Sequence, residues 1–405
     1  MKKGINKCLS LVLLALSIML MAGCSAMMKA QSALDAKDYN EAVTQFRVVL
    51  KEKPNDLNAL KGIGAAYLNL NQSGDAVAVM EKAYKMDPAD PYTIINLGAA
   101  YMQMEEYGKA IAIWKTYANK NPDTNVTDRL KKYLTLLLYK EAAKGAKEAV
   151  RNEKTLTSAT ATLDSNTLAV TYFGERGLPE KSKPLQKALA SMLITDLSKA
   201  EGIKVVDRIK LQKLLDEMKL SASGMVDTKT APRIGRLLGA EKIVSGNIGA
   251  VDKANLNIAS ILSSVPTSRA VANQDVNGTV AEFLKLEKTL SAKIIGDLKK
   301  AVPREDAAPP SITYDVLLSY GEGLDAQDMG NWDEAIRILG LSYRLSMQNI
   351  FLNALLSAPT SADAALTPAQ MTAELLAALL RDLDAQGTSL AKQTAHQPVL
   401  DWGFG

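Results

Sequence analysis

The chain is poor in the residues that most catalytic and metal chemistry uses. It has two cysteines (Cys8 and Cys24) and one histidine (His396) in 405 residues. Zinc sites of the Cys/His kind, Cys–His nucleophiles and a disulfide framework all need residues that are not supplied. No GxxxxGKS/T phosphate loop occurs, and no GxGxxG opens a helix after a strand; Gly62/Gly64 and Gly321/Gly323 fall inside helical patterns. A dominant charge is missing too, since the formal net charge of +4 is too small and too dispersed to mark a nucleic-acid partner. Long apolar runs are absent beyond the first residues. The mean hydropathy of −0.04, with 47% apolar and 23% charged residues, argues against a polytopic membrane protein, a collagen-like fibre or a disordered chain. The length allows two or three domains.

The remaining polar candidates are few. His396 sits in a polar tail. Asp216 and Glu217 are neighbours in a helical stretch, where successive side chains point about 100° apart, so they do not make a catalytic pair by spacing alone. Arg208 stands at a strand-to-helix corner, where it can bind an anion or, as the favoured reading, form a salt bridge that orients the strand. The expectation is a protein that is not an enzyme, with no catalytic residues, no cofactor and no metal.

At the amino terminus, Lys2, Lys3 and Lys7 precede an apolar run, Leu9–Met21, that ends in Met21-Ala22-Gly23-Cys24. A spanning helix needs about 20 apolar residues, so the run reads as a secretory signal, 1–23. The small residues before Cys24 resemble a bacterial lipobox, with Met21 where Leu is commoner. The resemblance implies cleavage before Cys24 and lipidation of its thiol. Ser25 in place of Asp implies sorting to the outer membrane, lipid-anchored and facing the periplasm.

A period of 34 residues organises the next hundred. Pro54, Pro88 and Pro122 are spaced by it, as are Ala42, Ala76 and Ala110, and Gly64-Ala65-Ala66-Tyr67 recurs as Gly98-Ala99-Ala100-Tyr101. This resembles the tetratricopeptide repeat, in three units over 25–124 with a degenerate first unit. The small residues let paired helices pack closely, and each proline stops a second helix. Residues 125–155 read as a capping and connecting helix whose apolar side carries Leu130, Leu134, Leu137 and Tyr139. Repeat solenoids bind other polypeptides on the concave face made by the first helix of each pair. The family register puts Asn58, Lys61, Asn69, Tyr92 and Gln103 on that face.

Between 165 and 302 the pattern alternates strands and helices in the order βαβααβββα, an α/β layer architecture. Val205-Val206-Asp207-Arg208, Leu211 with Leu214-Leu215-Asp216-Glu217, Ser223-Gly224, Ile234-Gly235-Arg236-Leu237-Leu238-Gly239-Ala240 and Val244-Ser245-Gly246 follow in order. This set resembles the CsgG family, named for the curli production assembly and transport component, whose best-known member is a lipoprotein forming an outer-membrane secretion channel. Channel members insert membrane hairpins near the late strand pair. Here only Ala250–Asn255 and Val276–Val280 are free for them, less than the about 9–11 residues that one spanning strand needs.

After the linker at Ala307-Ala308-Pro309-Pro310, the stretch Gly330-Asn331-Trp332-Asp333-Glu334-Ala335-Ile336 echoes Lys37-Asp38-Tyr39-Asn40-Glu41-Ala42-Val43. A helical segment like the repeats is expected over 311–387. Its last helix begins at Thr367-Pro368-Ala369-Gln370, and a tail follows at 388–405. The fold class is multi-domain α and α/β: an N-terminal repeat solenoid, a central CsgG-like domain and a C-terminal repeat-like segment. The functional expectation is an anchored protein-binding scaffold for assembly or secretion of envelope or surface components. Its partners are other proteins and the membrane, with homo-oligomers allowed and nucleic acid excluded. The alternative is a subunit of an oligomeric export channel.

Overall fold

The computed structural model describes residues 25–154, 163–178, 180–220, 230–251, 255–303, 312–346, 354 and 356–385. The expected signal peptide, Cys24 and the tail 388–405 lie outside the described residues. The described residues divide into two compact units, those within 1–137 together with those from 365 on, and those within 138–364.

The first unit is built from helix pairs: α1 (25–35) with α2 (Tyr39–Glu52), α3 (Leu57–Asn69) with α4 (Ser73–Met86), and α5 (Pro91–Gln103) with α6 (Tyr107–Lys120). Why the chain turns at the same register each time is visible in the backbone. Lys37, Asn71 and Glu105, each 34 apart, adopt left-handed conformations with φ of 60°, 56° and 56° between the paired helices. Pro54, Pro88 and Pro122 stand just beyond α2, α4 and α6. The residues before them are turned out of the helical region, Lys53 at φ −126°, Asp87 at −138° and Asn121 at −130°, as proline demands of its predecessor. Asp56 and Asp90 then restart the next first helix, accepting from the Ala59 amide at 3.0 Å and the Thr93 amide at 2.8 Å.

Packing explains the small residues. A Cβ on Gly64 would lie 2.4 Å from Met80, and one on Gly98 would lie 2.0 Å from the Trp114 indole nitrogen. Met80 and Trp114, 34 residues apart, are fully buried, as is Phe46 another 34 before them to within 1%. So a large side chain from each second helix fills the gap that a first helix leaves. Tyr67 and Tyr101 also repeat. The Tyr67 hydroxyl accepts from Arg47 at 3.0 Å, and the Tyr101 hydroxyl donates to Glu81 at 2.6 Å.

Helix α7 (Asn125–Arg151) runs on from the third pair, with its residues up to Leu137 in the first unit and the rest in the second. Val126, Thr127, Leu130, Tyr133, Leu136 and Leu137 are its buried residues in the first unit. Tyr133 takes the inward position expected of Leu134, which is half-buried.

The second unit holds a six-stranded mixed sheet. Strands β1 (Asp164–Val170), β2 (Gly174–Arg176), β3 (Lys204–Val205), β4 (Ala240–Ala250), β5 (Asn255–Ser264) and β6 (Arg269–Thr279) run β3-β1-β4-β5-β6, with β2 on β4. The early pairings are parallel and the last two antiparallel. Helices α8 (Pro184–Leu197), α9 (Arg208–Glu217), α10 (Ala231–Leu237) and α11 (Phe283–Asp297) accompany it. The expected order is observed with short β2 added, because the first strand breaks at Thr171–Phe173.

The segment 311–387 is not one body. Helices α12 (Tyr314–Asp328) and α13 (Trp332–Ser346) form a repeat-like pair in the second unit, with Gly330 at φ 78° five residues before Ala335, as Lys37 stands before Ala42. Its first helix presses on α8 so closely that a Cβ on Gly321 would lie 2.1 Å from the Pro184 carbonyl oxygen. A five-residue helix α14 (Ser361–Ala365) follows, and α15 (Pro368–Ala385) packs against α5 in the first unit. Compositional breaks mark linkers but not where a helix finds its partner, so this division was not readable from them.

Two glycine replacements separate packing from propensity. Gly98→Ala crowds the buried Trp114 and is expected to destabilise by about 1–3 kcal/mol. Gly145→Ala in α7, where nothing lies within 4 Å, is expected to stabilise by about 0.5–1 kcal/mol. Urea unfolding followed by circular dichroism checks both signs.

Candidate protein-binding groove

The first helices of the repeats share one face, and the cavity on it is the candidate site. It measures about 280 Å³ and takes Leu34 and Lys37 from the first pair, Ala65, Leu68 and Asn69 from α3, and Tyr92, Asn96 and Gln103 from α5. Of the five expected groove residues, Asn69, Tyr92 and Gln103 therefore line one space. Asn69 is exposed and donates its amide to its own helix at Ala65, 2.9 Å away. Gln103 is held by Ser73, whose hydroxyl donates to it at 2.6 Å. Tyr92 is buried, and that burial, reinforced by Asp90, pushes its hydroxyl pKa far upward. It offers a neutral ring and hydroxyl at any physiological pH.

Lys61 stands beside the cavity without lining it. Its ammonium pairs with Asp90 at 3.0 Å and sits 5.3 Å from the centre of the Tyr92 ring, so its charge is already partnered. Asn58 is exposed and does not contribute. Sequence reasoning missed Asn96, one turn beyond Tyr92 on the same face, whose amide donates to the Tyr92 carbonyl at 2.8 Å. It also missed Ala369, Thr372, Ala373 and Leu376 of α15, which form the opposite wall. The helical spacing of Tyr92 and Asn96 was a usable signal; nothing local in the sequence points from α15 to the repeats.

Arg208, the other singled-out residue, resolves as a structural ion pair. Its guanidinium donates to the Asp328 carboxylate at 2.6 Å, which also accepts from Lys187 at 2.7 Å and from the Tyr139 hydroxyl at 2.7 Å. Tyr172 donates to Gln212 at 2.8 Å beside them, and the Tyr139 ring meets Trp332 edge-on at 5.2 Å. Burial raises the Asp328 pKa, but Arg208 and Lys187 outweigh it and hold the carboxyl below its ordinary range. The cluster ties α8, α9 and α12 together, and Asp325, which also pairs with Lys187, supplies the second negative charge. Asp216 accepts from Gln212 at 2.7 Å and from Lys213 at 3.1 Å. Among the described residues no cluster of His, Cys, Asp or Glu has the form of a metal site.

A second buried carboxyl differs. Glu287 on α11 is almost wholly buried beside Asp196, and desolvation first and then the Asp196 charge raise its pKa well above the usual range. Asp196 keeps its charge, held by Lys199 at 2.6 Å and Lys288 at 2.7 Å. Of the two carboxyls, Glu287 is therefore the one that keeps its proton to higher pH.

Against known families, residues 141–257 match the family described as curli production assembly/transport component CsgG, and residues 27–91 and 72–131 match two tetratricopeptide-repeat families. No curated protein matches the chain. Among solved structures, an O-GlcNAc transferase mutant from Thermobaculum terrenum is 16% identical at TM-score 0.27, covering 49% of this chain, which spans only 40% of the transferase. The LpoB C-terminal domain from Salmonella enterica is 15% identical at TM-score 0.24, over 32% of this chain and 94% of that domain. A tetratricopeptide repeat protein from Parabacteroides merdae is 11% identical at TM-score 0.28, over 83% of this chain and 99% of its own length.

Both carboxyls give testable stability effects. Asp328→Asn leaves Arg208 buried without its counter-charge and is expected to cost about 3–5 kcal/mol. Glu287 has a raised folded-state pKa, so its contribution is present at low pH and is lost as pH rises above its ordinary 4.5. Glu287→Gln should therefore gain on the wild type with increasing pH, by no more than about 1.4 kcal/mol per unit. Thermal melts from acid to mildly alkaline buffer read both.

Proposed function

We propose that the chain is a lipid-anchored scaffold that binds other polypeptides through its repeat groove, in the assembly or secretion of curli-like surface components. The observation that carries this is the shared cavity on the first helices of the repeats, where apolar Leu34, Ala65 and Leu68 are joined by polar Asn69, Gln103 and the buried Asn96. A groove of that make-up takes the side chains of a polypeptide and meets its polar edges. The CsgG match supports the curli-like setting, and the sequence before Ser25 supports outer-membrane lipidation at Cys24 with a periplasmic placement. No turnover is expected of the protein.

The alternative, a subunit of an oligomeric export channel, has less support. Strand β4 ends at Ala250 and β5 begins at Asn255; β6 ends at Thr279 and α11 begins at Phe283. Neither gap holds a spanning strand of about 9–11 residues. Leu256, Ile258, Leu262 and Val276 of β5 and β6 are in the core of the second unit.

A photo-crosslinking residue at Asn69 tests the scaffold reading in cells. Polypeptide adducts are expected at least about fivefold above those from exposed Asn58, and they should fall when Cys24→Ala abolishes palmitate labelling. Equal yields at the two positions would remove the groove from the proposal, and palmitate retained in Cys24→Ala would remove the anchor.

A further inference from the structure

The face that would receive a partner already holds a helix of the same chain. Residues 138–364 lie between the repeats and α15, so α15 docks as a separate piece and does not continue the solenoid. It buries one stripe, Met371, Leu375, Ala378 and Leu379, at helical spacing. Beside that stripe Glu374 accepts from the Tyr133 hydroxyl at 2.7 Å and pairs with Arg129 at 3.3 Å. The helix is also self-starting. Gln370 accepts from the Thr367 amide at 2.8 Å, and the Thr367 hydroxyl accepts from the Gln370 amide at 3.3 Å. These are the features of an amphipathic helix lying in a groove.

The fit is incomplete. Toward the cavity that Leu34, Ala65 and Leu68 also line, α15 contributes Ala369, Thr372, Ala373 and Leu376, and about 280 Å³ stays open beside the small Ala369 and Ala373, one turn apart. Apolar atoms lining a gap forgo contacts that a closer neighbour would supply. A helix with larger apolar side chains at those two positions would bury more surface than α15 does.

We propose that the groove is a receptor for an amphipathic helix of a client polypeptide, with α15 as its tethered resident. A client helix bearing bulkier apolar residues in place of Ala369 and Ala373, and an acid in place of Glu374, displaces it. The proposal deepens the protein-binding reading above and rests on it. Tethering gives α15 a high local concentration, and its underfilled side supplies the margin by which a free helix can compete.

The test uses the full chain and fluorescein-labelled peptides of residues 366–385, either native or carrying Ala369→Leu with Ala373→Leu. The leucine peptide is expected to bind the wild type at least about tenfold more tightly than the native peptide. Leu375→Asp charges the most buried residue of α15, so that variant is expected to bind both peptides at least about tenfold more tightly than the wild type. A Leu375→Asp variant with intact helicity and no gain in affinity would overturn the proposal. Hydrogen exchange on the wild type covers the case in which that variant does not fold. Saturating leucine peptide should speed exchange in α15 while leaving α3 and α5 protected, and unchanged α15 protection would overturn the idea. Concentration-dependent dimers that dissolve on adding peptide would reassign the occupant to α15 of a second copy, which also overturns the client assignment. Peptide binding without adducts at Asn69 in cells would count against the scaffold reading and leave the receptor chemistry standing.

Discussion

Everything on the concave side of the solenoid depends on a steric exchange between paired helices: one gives up side-chain volume and the other fills it. Met80 occupies the space beside Gly64, and Trp114 that beside Gly98. The second helix of each pair is pinned at a fixed distance, so the first helices are set side by side with their outer faces in register. That register puts Asn69 and Gln103, 34 residues apart, on the same rim. Trp114 adds direction to volume, since its indole N–H donates to the Ile94 carbonyl at 3.2 Å and fixes the ring's orientation.

The second unit solves a different problem. A parallel and antiparallel sheet buries its apolar face against helices, but a helical pair has to be attached to that assembly as well. Apolar contact through Leu317 and Tyr320 is joined by the ion cluster around Asp328. A buried ion pair adds little net stability over a well-packed apolar substitute, but it is costly to break by halves. It therefore specifies which surfaces meet. The Arg208 guanidinium also donates to Tyr139 at 3.3 Å and Tyr172 at 3.4 Å, which holds it in the orientation that meets Asp328 of α12.

How much of this was legible in the sequence varies with the range of the interaction. Periodic features were plain, because Pro54, Pro88 and Pro122 and the small residues act locally and repeat. The left-handed residues Lys37, Asn71 and Glu105 repeat as well, but their side chains share no chemistry, so nothing in the residue types announces the turn. Strand positions were found to within a few residues, since alternation survives burial. The groove was half readable: Asn69, Tyr92 and Gln103 follow from the repeat register, whereas its far wall comes from a helix that is distant in sequence. Thr367 and Gln370 announced that α15 would form, and its apolar stripe that it would be buried, but no one-dimensional pattern encodes the surface it covers. Arg208 was placed at its corner correctly, and its counter-ion, Asp328, was not identified because the pairing spans 120 residues.

The late position of α15 in the chain has a consequence for biogenesis. Synthesis proceeds from the amino terminus, at about 5–20 residues per second, so the repeats are complete long before Ala369 and Leu375 exist. For roughly 10–45 s, while residues 138–364 are being made, the nascent solenoid lacks α15 on the side of α5 that it later covers. During translation its apolar floor is uncovered, which makes that interval the stage at which ribosome-associated or translocation-associated chaperones have the most to shield.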